Sequence, residues 1–528
     1  MTGSTPKRAI PAHRWVSLAA ICTTAGIVWL AFADLGVAIP RIADELGSSL
    51  EALQWANNAF SLVTGALVIA AGKFGDIFGR RRMLQLGTVL LAGFSVLAAL
   101  STSAGWLILG RGLMGIGAAL ILPASLALIP PEFSGRAEVA AFGIWQAVAW
   151  GGLAVGPAIG GLLTDGLGWR WLFWVNLPLA VVTLAVVRVT TPESRDVRAS
   201  RHVDWAGVCT IGLAVFALLY ALTAGPDAGW ASPLVVGLFV ASVVLAVAWY
   251  RIERRVRDPL VDLRLFRFRP YNGALAANLT MNLAFAGLSF LLVLWLQNAL
   301  GYSALRAGLL LLPATAGVLL GIPLGGRSDI RRGGRVPVVT GLVVAGAGLL
   351  VLGFLGVGAE MWVFALALAI IGFGLGLVSD PVADTAVGEV SPDLAGIAAG
   401  VFKMSSMLGG ALGVAVLTAV ARGLTSRDLT AVVQASGLTP EQVSQVRQSL
   451  VNSASFEQAV ASLPPDLRRA VTEVATSAFT SGVGDTMVAT GILTLAAAVV
   501  VFLLWPPRSR AGSPAPTARP GPTRDRGR

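Results

Sequence analysis

The chain has 528 residues, of which 55% are hydrophobic and only 13% charged, with mean hydropathy +0.76 and a net charge of +11. A soluble fold of this length exposes far more charge, and apolar runs of the ~20 residues needed to cross a ~30 Å hydrocarbon core recur along nearly all of it. The composition excludes a soluble globular protein and leaves an all-α polytopic membrane protein.

Residues 1–14 are a basic N-terminal tail. The first apolar run, 15–39, is too long for a signal-peptide core and lacks a small-residue cleavage site, so it is the first span. The following spans are predicted at 52–71, 83–101, 106–129, 139–163, 170–188, 205–223, 233–250, 271–299, 305–325, 336–356, 361–381, 395–421 and 485–505, fourteen in all. An even number puts both termini on one side. Lysine and arginine decide which side. One side carries Lys7, Arg8, Arg14, the block at 72–84, the segment Arg188 to Arg201, the stretch "RIERRVRDPLVDLRLFRFRP" at 251–270, Arg327 to Arg335 and the tail after Trp505. The other carries Arg41, Arg170, Arg306 and a few in one long loop. This asymmetry predicts a multi-pass protein of the cell membrane with both termini cytoplasmic. It also makes the positive charge a topology signal and argues against nucleic acid as a partner.

The cysteines, Cys22 and Cys209, lie far apart inside apolar runs, and the histidines, His13 and His202, lie in polar segments. Neither a disulfide framework nor a metal site is expected from them. Residues 422–484, between the last two spans, are polar and carry helix-start signals, "TPEQ" at Thr439 and "LPPDLRRAV", which predict a small helical cap. The tail 506–528 is rich in Pro, Gly and Arg, the composition of a disordered segment.

The block "GKFGDIFGRRRML" at 72–84 interrupts two apolar runs with glycine and charge. It is not a phosphate-binding loop, because the lysine follows the first glycine directly and no serine or threonine comes next. It recurs in degenerate form: Gly72 to Ile77 matches "GGRSDI" at Gly325 to Ile330, on the same side. That indicates a parallel repeat of two six-span halves, 15–188 and 271–505, with two inserted spans and their loops at 189–270. Gly72, Gly75 and Gly79 permit a tight turn and close helix approach, and Asp76 is suited to face the positive N-terminus of a neighbouring helix. Arg80 and Arg81 are expected to pair with carboxylates at the inner face, with Glu132 the expected partner of Arg80. Asp329 takes the place of Asp76 in the second copy. A solvated basic loop would account for the arginines but not for the glycine and aspartate spacing.

These residues resemble the loop between helices 2 and 3 of the major facilitator superfamily, with Ile77 where a basic residue commonly stands. Gly143, Gly152, Gly156, Pro157, Gly160 and Gly161 resemble the antiporter signature of its drug exporters. Their spacing suits close helix packing, with Pro157 setting a bend. Arg111 in "LILGRGLMGIGAA", with Gly115, Gly117 and Ala119, resembles the helix 4 motif of the same exporters, and "WRWLFWVNLP" resembles the fourteen-helix branch. The resemblance implies a fourteen-helix drug:proton antiporter: not an enzyme, without cofactor, driven by the proton gradient, and acting on lipophilic, often cationic, compounds. A monomer surrounded by membrane lipids is expected. The alternative is a same-fold exporter of a physiological lipid, peptide or secondary metabolite.

Four further groups are singled out at membrane depth. Arg111 inside an apolar span costs about 2.5–3.5 kcal/mol and needs a partner. Asp34 lies at similar depth in the outer half and is the expected partner and proton carrier, although the family often carries its acid one turn earlier, where this chain has Ala31; a purely structural salt bridge is the other reading. Lys403, near mid-membrane, suits either a structural role or a substrate or coupling role. Asn278 and Asn282 share a helix face and either line the cavity or join helices. Asp380 and Asp384 fall at the inner end of the twelfth span, in solvated or gating positions.

Overall fold

The computed structural model describes residues 11–195, 204–256, 258–298, 302, 304–355, 360–434 and 465–506. All regular structure among them is helical, as expected where each apolar segment must satisfy its own backbone N–H and C=O groups.

Helix α1 (Ala12–Ala33) runs through Asp34 into α2 (Leu35–Leu46), and Asp34 N still donates to Leu30 O at 3.0 Å. Gly47, at φ 60°, stops α2. Ser49 starts α3 (Leu50–Phe78), its Oγ accepting from Ala52 N at 3.2 Å. Gly79, at φ 110°, turns the chain into α4 (Arg80–Ala99). Ser103 caps α5 (Ala104–Ala127), which is followed by the single turn α6 (Ile129–Glu132) and then α7 (Arg136–Gly166). The short α8 (Trp171–Trp174) leads into α9 (Asn176–Thr190), the last helix of what the sequence predicts as the first half. Next come α10 (Trp205–Ala228) and α11 (Pro233–Glu253), capped by Asp204 and Ser232. The second half comprises α12 (Arg269–Asn298), α13 (Ala304–Arg332), α14 (Arg335–Phe354), α15 (Met361–Ala383), α16 (Ala395–Gln434) and α17 (Pro465–Leu504). Fourteen segments among the described residues are long and apolar enough to cross a membrane.

Within the first half α5 packs on α3 and α4, and α1 packs on α7. Within the second, α13 packs on α15, α12 on α16, and α14 on α17. Glycine permits the closest of these crossings: a Cβ on Gly376 would stand 2.9 Å from Gly321 Cα. The halves meet where α16 crosses α3 and where α13 crosses α7, and α10 packs against both α3 and α16. Arg14 bonds the carbonyl of Glu132, and Trp505 packs on Gly334, so the described chain ends lie at one end of the bundle, called here the basic face.

Of the predicted helical cap, residues 435–464 lie outside the described residues. Helix α16 continues to Gln434, and the helix start predicted in "LPPDLRRAV" is Pro465, which runs without a break into the last span. The polar flanks of 422–484 are thus extensions of two membrane helices. The start signal at Thr439, the tail 507–528 and residues 1–10 lie outside the described residues.

Candidate functional site

At the basic face the glycines of α3 let α16 approach to backbone contact: a Cβ on Gly72 would stand 3.0 Å from the carbonyl carbon of Gly396 and 3.3 Å from Gly400 Cα. Asp76, one turn on and buried, reaches the start of α16. Its Oδ1 accepts from Gly396 N at 3.0 Å and its Oδ2 from Ile397 N at 2.9 Å. A carboxylate thus meets the unsatisfied N–H groups and positive end of a long helix. Gly75 lies alongside Arg80 on the same turn.

The expected pairing of Arg80 with Glu132 is not found. Arg80 Nη2 donates to Asp76 Oδ1 at 2.7 Å, Nε to the same oxygen at 3.1 Å, and Nη1 to Ala127 O at 3.3 Å. Glu132 stands 3.7 Å from Arg14 Nε instead. The sharp turn at Gly79 folds Arg80 back onto Asp76, four residues earlier, while Glu132 closes α6 beside the start of α1. Arg81 takes a carboxylate as expected, Glu193: its N–H donates to Glu193 Oε1 at 3.0 Å and its Nε lies 3.8 Å from Oε2. Asp329, in the second copy of the block, lines a cleft of about 310 Å³ with Gly135, Glu138, Asp384 and Glu389 where α7 begins.

The α7 glycines divide between two neighbours. Cβ atoms on Gly152 and Gly160 would press on Trp29 Cβ at 3.0 Å and on Asp34 Cα at 3.1 Å. Gly156 faces Ala33, and Gly161 faces Val37. Gly143 faces the second half instead, 3.5 Å from Ile322 and 3.7 Å from Asp380 by the same construction. Pro157 lies inside α7 on its exposed side. The glycine stripe therefore seats α1 around Asp34.

Asp34 and Arg111 are both buried and act on each other electrostatically. They form no ion pair within 4.0 Å, so the structural salt bridge of the other reading is not found and the two interact at longer range. Arg111 Nη2 donates instead to Ala31 O at 2.8 Å and to Asn57 Oδ1 at 2.9 Å, and its guanidinium lies 4.6 Å from the centre of the Phe60 ring. The arginine engages α1 one turn before Asp34, at the backbone of the position where the family often has its acid.

Asn278 joins helices. Its Nδ2 donates to Phe402 O at 3.0 Å and to Ser405 Oγ and Ser406 Oγ at 2.7 Å each, and Asn282 Nδ2 donates back to Asn278 O at 2.8 Å. Lys403, on the turn so fixed, is buried with its Nζ 4.2 Å from the ring centre of Trp145 and 5.3 Å from that of Trp29.

On the opposite face Trp169 Nε1 donates to Glu45 Oε2 at 2.7 Å and Arg170 pairs with Glu45 Oε1. The Arg170 hydrogen bond holds the Glu45 carboxyl below its ordinary value. The stretch "WRWLFWVNLP" therefore anchors the loop after α7 to the end of α2.

A family model, Major Facilitator Superfamily, matches residues 17–414. The chain belongs to the major facilitator superfamily. It is a transporter and not an enzyme. It is 30% identical over 531 residues to the tetracenomycin C resistance and export protein of Streptomyces glaucescens, covering 99% of this chain and 97% of that protein. It is 33% identical over 457 residues to the multidrug resistance protein Stp of Mycobacterium tuberculosis, covering 86% of this chain and 84% of that one. Among solved structures, the proton:xylose symporter XylE superposes with a TM-score of 0.60 at 14% identity over 94% of this chain and 97% of the other. That likeness shows the fold.

Sequence reasoning missed several residues of this transporter's interior. Asn57 and Glu193 take the arginines. Gln146 Nε2 and Trp150 Nε1 both donate to Ser379 Oγ, at 2.7 and 2.9 Å, bridging the halves from α7 to α15. Their signal was a polar or indole N–H within an apolar span, where partners are obligatory, but nothing in the sequence says which helix supplies them.

Proposed function

We propose that this protein exports small lipophilic compounds across the cell membrane in exchange for protons entering down their gradient. Its two halves, 15–188 and 271–505, would rock against each other with α10 and α11 between them, so that the central site opens to one side at a time. The excess of lysine and arginine in its loops supports a cytoplasmic position for the basic face and both termini. The observation that carries this reading is the Asp76 carboxylate, held by Arg80 within its own half and by two N–H groups of α16 in the other. Such a contact closes one face without covalent linkage and breaks when the halves rotate. Asp34 is the proton carrier in this reading: it sits in the Gly156–Gly160 groove of α7 within electrostatic reach of Arg111, so that movement of α1 against α7 changes its surroundings. The names of the relatives support antibiotics as the substrates, and no cofactor is needed.

The test is transport by purified protein in liposomes with an imposed proton gradient and a panel that spans acidic and basic lipophilic compounds, among them tetracenomycin C, puromycin and ethidium. Uphill movement that collapses with a protonophore is expected. Substrate movement that ignores the gradient, or none across the panel, would overturn the reading.

A further inference from the structure

Lys403 is 3% exposed in the membrane-spanning part of α16, about two turns from its start, where a charge on an apolar helix is costly unless matched. Three aromatic rings surround its ammonium: Trp145 at 4.2 Å, Phe402 at 5.1 Å and Trp29 at 5.3 Å from Nζ to ring centre. Ring faces offset part of the cost. Among the described residues no carboxylate stands within ion-pair distance of it.

The arrangement is built. Asn278 on α12 pins the turn that carries Lys403 through the Phe402 carbonyl and the Ser405 and Ser406 hydroxyls. Trp145 is held by its Nε1 on Ser125 Oγ at 3.1 Å and by an edge-to-face contact with Trp29 at 6.4 Å. A second observation is independent of the lysine. Trp29 Nε1 is buried with no hydrogen-bond acceptor among the described residues. Among the described residues around Lys403, a buried donor thus lacks an acceptor and a buried cation lacks a carboxylate at ion-pair distance. Their chemical complement is an acceptor that carries negative charge.

We propose that Lys403, with the indole of Trp29 beside it and the N–H of that indole without an acceptor, is the subsite for an anionic oxygen of the substrate: a carboxylate, phenolate or enolate on a lipophilic ring system that lies against Trp145 and Phe402. The inference rests on the export reading and narrows it, because a lipophilic cation would meet like charge at this point while an acid is drawn in. The lysine belongs to the second half and the tryptophans to the first. Rotation of the halves therefore takes the subsite apart, which releases what it holds.

Equilibrium binding to the purified full-length protein in lipid nanodiscs, with no gradient, tests this with two ligands that share one fluorophore: anthracene carboxylate and anthracenylmethylammonium. Wild type is expected to bind the carboxylate at least about ten-fold more tightly than the ammonium, and Lys403→Gln to erase that preference, since a charge-assisted hydrogen bond is lost. Lys403→Arg should keep it. Trp29→Phe, which removes the N–H but keeps a ring, should weaken carboxylate binding about three-fold. Tighter binding of the ammonium by wild type, or a Lys403→Gln preference within about two-fold of wild type, would overturn the proposal. If Lys403→Gln fails to reach the membrane, the wild-type ratio and Lys403→Arg still decide. Charge-selective binding without gradient-driven transport would sink the export reading and leave the subsite standing.

Discussion

Asp76 and Ile397 are 321 residues apart in the chain, yet the carboxylate of the first accepts the backbone N–H of the second at 2.9 Å. One side chain thus fastens the end of α3 to the beginning of α16, and Gly72 and Gly396 lack the Cβ atoms that would keep the helices apart. Replacing Asp76 with Asn keeps the shape and removes the charge that both the helix N-terminus and Arg80 require. With charge-assisted hydrogen bonds contributing about 1.5–3 kcal/mol each, efflux by Asp76→Asn should fall at least about ten-fold at normal membrane levels. Wild-type efflux by a well-expressed variant would reduce the block to a topology signal.

Gly396→Ala approaches the same contact from the other half. The added Cβ would stand 2.6 Å from Asp76 Cγ, so the helix start has to move away. In a background with Cys22 and Cys209 replaced by Ser, a reporter introduced as Ile397→Cys should label faster with a membrane-impermeant maleimide when Gly396→Ala is present. Equal labelling rates would show that the face opens without regard to this contact.

Asp34→Asn removes the titrating group while preserving volume. Gradient-driven export and the accompanying proton flux should both be lost, and substrate binding should survive, read as the pH change inside substrate-loaded vesicles alongside equilibrium binding. Wild-type rates would dismiss Asp34 as the proton carrier and pass the role to Asp380 or Asp384.

Asn57 supplies one of the two acceptors of Arg111 Nη2. Asn57→Ala leaves a buried guanidinium short of a partner, which costs about 1–3 kcal/mol. Thermal unfolding in detergent should show a lower midpoint for Asn57→Ala than for Asn58→Ala, and equal midpoints would mean that Ala31 O and Phe60 suffice.

Glu45 sets a pH dependence on the opposite face. Arg170 holds its carboxyl below the ordinary value of 4.5, so its contribution is full above that value and is lost as the pH falls through the folded-state value. Both partners are partly solvated, which limits the effect to about 1 kcal/mol or less. The stability difference between wild type and Glu45→Gln should be present at neutral pH and should vanish in acid. A difference that persists in acid would assign the effect to packing around Trp169.

Some of this was legible in the sequence. The fourteen spans follow from hydropathy alone, because a ~30 Å apolar layer demands apolar length whatever the neighbours are. Asp76 facing a helix N-terminus was readable as a possibility from its charge, because a buried carboxylate suits the positive end of a helix. The choice of partners was decided only in three dimensions. Arg80 turned to Asp76 and not to Glu132, Arg111 to the Ala31 carbonyl and Asn57, and Lys403 to a ring of aromatics. Helices that are apolar all round give no periodicity from which to read the buried face, so rotation and depth, and with them every contact between helices, are fixed by packing. The same holds for the ends of α16 and α17: polar residues beyond a span look like loop in one dimension, and only the continued backbone hydrogen bonding makes them helix.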